Sequence, residues 1–160
     1  MSRLYLLILI VLTVVFVSCA SVPDRVSPEW SEAMFFKNAQ EAMDESLYKT
    51  ALYYYEVFLI RYPENHQMVI AAEYELAFIY YKTGDYKRAE AEYRAIIQKY
   101  DESPYAILYH PRFRRLCEIG LTNIEKQRAV QNRLFWRNRE KEWAEEHGES
   151  LTEETDPVEI

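Results

Sequence analysis

Residues 76–93 read LAFIYYKTGDYKRAEAEY. Thr83-Gly84-Asp85 breaks this stretch into two helical halves, because Gly84 takes the left-handed conformation past a helix C-terminus at little steric cost. Ala77 and Ala89 are small where the two halves cross at close approach, and Tyr80, Tyr86 and Tyr93 fill the space around the crossing. Slid back by 38 residues, the stretch falls on an earlier copy: Ala77 on Ala39, Tyr86 on Tyr48, Ala89 on Ala51 and Tyr93 on Tyr55. Ile96, Ile97 and Tyr100 fall likewise on Phe58, Leu59 and Tyr62. A period of roughly 34 to 40 residues is the signature of a helix-pair solenoid, in which each unit buries its apolar face against its neighbours.

Working outward, Ser31-Glu32 is a helix start, and Ala33, Phe36, Ala39, Gln40 and Met43 recur at helical spacing to about Asp44. Glu45-Ser46 makes a turn, and a second helix over Tyr48–Arg61 stops at Tyr62-Pro63. The second unit repeats this grammar with helices over Met68–Lys82 and Tyr86–Lys99. Ser103-Pro104 then offers an N-cap and a first helical position, and Pro111 either kinks or restarts that element. From Arg112 to about Glu145 the pattern fits one long helix or two barely separated ones. A shift of 40 lays Cys117 on Ala77, but no turn follows where Gly84-Asp85 would require one. This third segment therefore reads as a cap for the last apolar face. Strand-like alternation is not sustained anywhere after residue 19.

The N-terminus carries a different signal. Leu4–Val17 is an apolar run of 14 residues behind Arg3. That is shorter than the roughly 20 residues needed to span a bilayer and fits the apolar stretch of a secretory signal. Phe16-Val17-Ser18-Cys19-Ala20 resembles the lipobox of bacterial lipoproteins, which implies cleavage before Cys19 and acylation of Cys19, the one covalent group expected; no other cofactor is. The alternative is an uncleaved anchor helix with an incidental cysteine. Ala20, in place of an Asp, implies by the same resemblance the outer membrane rather than the inner one. With Cys19 acylated, Cys117 has no disulfide partner and reads as a small buried hydrophobe. The formal charge of −7 and an extracytoplasmic location argue against nucleic acid as a partner. Charge is unevenly spread: Lys126–Lys141 carries six cations against one Glu, whereas Glu145–Ile160 carries seven carboxylates and no Lys or Arg. The acidic end has the composition of a disordered tail.

The Leu76-Ala77, Tyr80, Gly84, Tyr86, Ala89, Tyr93 constellation resembles the tetratricopeptide repeat. The first unit matches at Ala39, Tyr48, Ala51, Tyr55 and Pro63, and departs at Asn38 and Ala42. A lipidated cysteine followed by repeats closing in Arg61-Tyr62-Pro63 and Lys99-Tyr100-Asp101 is also similar to the outer-membrane assembly lipoprotein BamD family. Members of that family carry about five repeats, and this chain has room for two and a cap.

The expected architecture is thus all-α: a signal peptide over 1–18, a linker over 19–31, two tetratricopeptide-type hairpins over 32–104, capping helices over 105–146 and an acidic tail over 147–160. By the resemblance, the first helix of each pair lines the concave face. It would present Ala33, Phe36, Gln40, Met43 and Asp44 from unit one, and Ala71, Tyr74, Phe78, Tyr81 and Lys82 from unit two. These residues make either a groove for a partner's segment or plain core beneath a C-terminal helix folded back over them. The basic stretch with Leu134, Phe135, Trp136 and Trp143 likewise either caps the solenoid or docks on anionic headgroups or an acidic partner. His66, His110 and His147 are isolated, no His or Cys stands at metal-ligand spacing, and no Gly-rich phosphate loop exists. Carboxylates such as Glu73 and Glu75 read as solvated helix faces. The expected role is recognition, not catalysis: a lipid-anchored scaffold that binds protein partners at the periplasmic face of the outer membrane. Its partners would be outer-membrane β-barrel assembly components, or else cell-wall machinery or external ligands.

Overall fold

The computed structural model describes residues 26–148; the signal segment, Cys19 and the acidic tail from residue 149 onward lie outside them. Five α-helices follow one another among the described residues: α1 (Glu32–Asp44), α2 (Tyr48–Arg61), α3 (His66–Lys82), α4 (Tyr86–Glu102) and α5 (Arg112–His147). The fold is all-α, two helical hairpins followed by one long helix.

The 38-residue period is reproduced bond for bond at the hairpin turns. Glu45 N–H donates to the Glu41 carbonyl, Ser46 to Met43 and Leu47 to Ala42; one period later Thr83 donates to Ile79, Gly84 to Tyr81 and Asp85 to Tyr80. Such bonds satisfy carbonyls that the helix end leaves without partners, and they require one left-handed residue. Gly84 supplies it at φ +82°, and Ser46 supplies it at φ +60°. A Cβ on Gly84 would meet nothing within 4 Å, so its cost would be purely conformational. Gly84→Ala should therefore lose about 1 kcal/mol and Ser46→Gly should gain about 0.5–1 kcal/mol in urea unfolding. Equal stability of all three proteins would show that these turns relax.

Each unit also builds its own core. Ala39, Ala51, Tyr55 and Phe58 form the first cluster, and their counterparts Ala77, Ala89, Tyr93 and Ile96 form the second; all are at most 1% exposed. Each cluster is closed by the helix that follows: Ile79 of α3 closes the first, and Phe113, Cys117 and Ile124 of α5 close the second. Cys117 thus takes the packing role of Ile79, 38 residues earlier, and not that of Ala77. Helix α5 replaces the first helix of a third unit and then runs on without turning.

The sequence expectation of a helix starting at Ser103-Pro104 does not hold. Ser103 caps the end of α4, its hydroxyl pairs with the Tyr109 hydroxyl at 2.9 Å, and Ala106–Leu108 makes a short 3-10 turn. Ser103 is extended, as the ring of Pro104 after it favours; Tyr109 is extended too, and α5 restarts directly after Pro111.

The alternating helices give the molecule two ends. Turns 45–47 and 83–85 lie at one. At the other lie the N-terminal segment, the α2–α3 connection and the α4–α5 connection. Contacts tie that second end together: Arg61 donates to the Ser27 carbonyl at 2.9 Å, Tyr62 Oη donates to the Trp30 carbonyl at 2.8 Å, and His66 stacks on Tyr105 at 3.7 Å.

Helix α5 leaves this end antiparallel to α4, pairing Arg114 with Asp101 at 2.6 Å and Arg128 with Glu90 at 2.6 Å. Capping is confined to its first half. From residue 125 to 148 every residue except Ala144 is exposed. Leu134, Phe135, Trp136 and Trp143, which the sequence also allowed as a cap, are 48–62% exposed and belong to neither core cluster. At 1.5 Å per residue, the 19 residues past Arg128 run on for about 28 Å, beyond the level of the hairpin turns.

Candidate functional site

Helical spacing sets three stripes side by side. On α1 it aligns Phe36 with Gln40; on α3 it aligns Met68, Ala71, Glu75 and Phe78; on α5 it aligns Arg112, Arg115, Leu116 and Ile119. Together they border two adjoining clefts of about 430 and 760 Å³. Gln40, Glu75 and Arg112 line both, so the clefts form one groove. Helix α5 is a side wall of this groove, not a lid over it.

The groove is walled by rings. Phe36 stands edge-on to Tyr55 at 5.4 Å and to Phe58 at 5.0 Å, which fixes it from behind. Tyr74 packs on Phe113 of α5 at 5.5 Å and stacks with Phe78 at 6.1 Å. Gln40 donates through Nε2 to the Tyr55 hydroxyl at 2.6 Å, which anchors its amide at the floor. Burial pushes the Tyr74 hydroxyl up to about 12, with Glu75 and Cys117 adding to the rise and Arg112 opposing it. Tyr74 is therefore neutral at physiological pH.

Glu75 is the acidic centre. Burial raises its carboxyl pKa, while Gln40 and Arg112 work against the rise. Its folded pKa lies above its unfolded one, so its contribution to stability is fully present below the unfolded value, near 4.3, and is lost as pH rises through the folded value. Gln mimics the protonated acid at every pH. Glu75→Gln should therefore be more stable than the native chain at pH 7 and no more stable near pH 3.5, as read by urea midpoints. A gap of the same size at both pH values would show that the carboxyl is not perturbed.

Of the residues expected to face a groove, the structure gathers Phe36, Gln40, Tyr74 and Phe78 around it, with Ala71. Met43 and Tyr81 pack against the two core clusters, and Asp44 and Lys82 are exposed at the ends of α1 and α3. Glu73 and Glu75 are not the solvated face the sequence suggested. Glu73 pairs with Lys99, with its Oε2 buried and without a hydrogen-bond partner, and Glu75 lies within the groove. Sequence reasoning missed Glu75, Arg112, Arg115, Leu116 and Ile119. The i, i+3, i+7 spacing of Met68, Ala71 and Glu75 carried the first; the α5 residues needed knowledge of which way that helix runs.

Chemically, the groove offers apolar ring faces, one carboxylate, a fixed amide and two guanidinium groups. Apolar side chains suit the rings, carboxylates suit Arg112 and Arg115, and a cation or amide suits Glu75. Cys117 is fully buried, with burial the chief cause of a thiol pushed up to about 12, so it carries no thiolate. Among the described residues, no three His, Cys, Asp or Glu side chains come together to hold a metal, and no helix is long and apolar enough to cross a membrane.

Residues 28–141 match the protein family described as outer membrane lipoprotein, YfiO. A protein of Treponema pallidum (strain Nichols), described as uncharacterized, is 33% identical over 110 residues. That alignment covers 68% of this chain and 44% of the relative, so the chain spans less than half of the relative's length. No solved structure matches.

Proposed function

The chain belongs to the outer membrane lipoprotein family, and from that membership we propose that it is a lipid-anchored scaffold that captures a segment of a protein partner at the periplasmic face of the outer membrane. Acylated Cys19 holds it there. The groove between α1, α3 and α5 does the recognition, and no chemical step is involved. The role proposed is in outer-membrane protein assembly, as the BamD-like layout of lipidated cysteine and repeats suggests. The observation that carries the proposal is the groove itself: four aromatic rings, Phe36, Tyr74, Phe78 and Phe113, line a channel beside Gln40, Gln67, Glu75, His110, Arg112 and Arg115, with the Gln40 amide fixed by Tyr55. Such a channel takes an extended or helical peptide with apolar anchors and at least one carboxylate.

Mild crosslinking of cells followed by purification of the lipidated chain tests this. Recovery of a β-barrel assembly component is expected, and an Arg112→Glu, Arg115→Glu chain should recover about tenfold less, because the reversed charges repel the partner's carboxylates. Both arginines are exposed, so the fold should survive the change. Enrichment of wall-synthesis or external partners instead would favour a structural role linking the membrane to the wall or the exterior.

A further inference from the structure

The exposed large apolar residues among those described form two groups, one on α5, chiefly its free half, and one at the end of the hairpins away from their turns. Outside α5, the exposed large hydrophobic residues among those described are Met34, Ile60, Tyr105, Ile107 and Leu108. All five lie at the end that holds the N-terminal segment and the two inter-unit connections. Met34 is in the first turn of α1, Ile60 is in the last turn of α2, and the other three surround the 3-10 turn. Ile107 is 91% exposed and Ile60 80%. At the opposite end the turns present Glu45, Ser46, Thr83, Gly84 and Asp85. Exposed apolar side chains grouped in this way mark a surface that something covers.

The chain itself points to what covers them. Only six residues separate Cys19 from Val26, where the described residues begin. Even fully extended, the path from Cys19 to Val26 spans no more than about 25 Å. The end that carries Ser27 and Trp30 must therefore stay close to whatever holds Cys19. Contacts lead from there to the apolar turn: Ser27 to Arg61, then across the α2–α3 connection to His66, stacked on Tyr105. Charge at this end is mixed: Glu29 and Glu64 are exposed, and Arg114 is paired with Asp101 and Glu118. The turn itself, from Ser103 to Pro111, carries no Asp, Glu, Lys or Arg. Two apolar side chains flanked by Tyr105 and Tyr109 match the acyl and interfacial layers of a bilayer.

We propose that this end of the domain docks on the bilayer, with Ile107 and Leu108 of the 3-10 turn inserted below the headgroups of the leaflet that holds the lipid on Cys19. This rests on the lipid-anchor reading above. It fixes the orientation of the molecule, with the α2–α3 and α4–α5 connections at the membrane and the free half of α5 directed away from it.

The test uses the full lipidated chain in vesicles of phosphatidylethanolamine and phosphatidylglycerol. Ile107→Cys carries an environment-sensitive fluorophore, with Thr83→Cys in the opposite turn as the control. Cys19 is acylated and Cys117 is fully buried, so each variant takes a single label. A several-fold rise in emission at position 107, quenched by spin-labelled lipid and absent at 83, is expected. Adding Leu108→Asp should bring position 107 down to the level of 83. Since both side chains are exposed, circular dichroism should be unchanged. If the protein floats with the vesicles but both labels report water, the docking is wrong and the anchor stands. If it does not float at all, both are wrong. A position-107 crosslinker in native envelopes that captures protein and no lipid also overturns the proposal.

Discussion

Tyr93→Ala is expected to cost about 3–5 kcal/mol in urea unfolding. The ring is 1% exposed and sits where the second hairpin meets α5, within 6.1 Å of Tyr74 and directly against Gly120. Removing it takes the largest buried side chain out of the cluster shared by α3, α4 and α5 and leaves a cavity that rigid helices cannot close. Because small domains are stable by only about 5–15 kcal/mol, the variant should unfold at markedly lower denaturant. A loss under about 1 kcal/mol would mean that α5 does not dock as described.

Gly120→Val is expected to be nearly as damaging, through excess volume. A Cβ at Gly120 would stand 2.5 Å from Tyr93 Cε2 and 2.7 Å from Cζ. The ring cannot swing aside because the second core surrounds it, so the added side chain must push α5 off α4. Overpacking of this kind costs about 1–3 kcal/mol and here should reach the upper end, despite valine's better helix propensity than glycine's. Hydrogen exchange would localise the effect, with faster exchange in α5 than in α1 and α2. Uniform exchange across all helices would contradict it.

These two residues also show where the sequence was legible and where it was not. The hairpins could be read because their requirements are local: a left-handed residue at Gly84, small residues at Ala77 and Ala89, and aromatics one period apart. Tyr93 was found in this way, and the structure places it in the core. Gly120 gave no such signal. Its meaning is a close approach to a ring 27 residues earlier, which only the packing of α5 defines. The same limit applies to the groove. Phe36, Gln40, Tyr74 and Phe78 follow from the resemblance to the tetratricopeptide repeat, carried over by register. Arg112 and Arg115 join them because α5 occupies the place of a third repeat's first helix, which the absence of a turn after Cys117 had obscured. Glu75 looked like any solvated carboxylate in the sequence; its position between α1 and α5 makes it buried and electrostatically distinct.

The proposals divide one short solenoid into three parts. The connections would face the membrane, the groove runs between α1, α3 and α5 from His110 to Ile119, and the unpaired half of α5 extends past the hairpin turns with Trp136 and Trp143 exposed. With two units among the described residues the groove is short, so the proposed capture would depend on a few aromatic anchors and on confinement at the membrane, which would raise the effective concentration of membrane-bound partners.

The proposed function requires that the groove capture a protein partner in outer-membrane assembly. A photo-crosslinking residue in place of Phe78, at the groove's rim, addresses it directly in living cells. A discrete crosslink to a β-barrel assembly component is expected, lost when Arg112 and Arg115 are reversed to Glu and absent when the same residue replaces Lys87 on the outer face of α4. A crosslink of equal strength from Lys87, or none from Phe78 in a correctly localised chain, would contradict it.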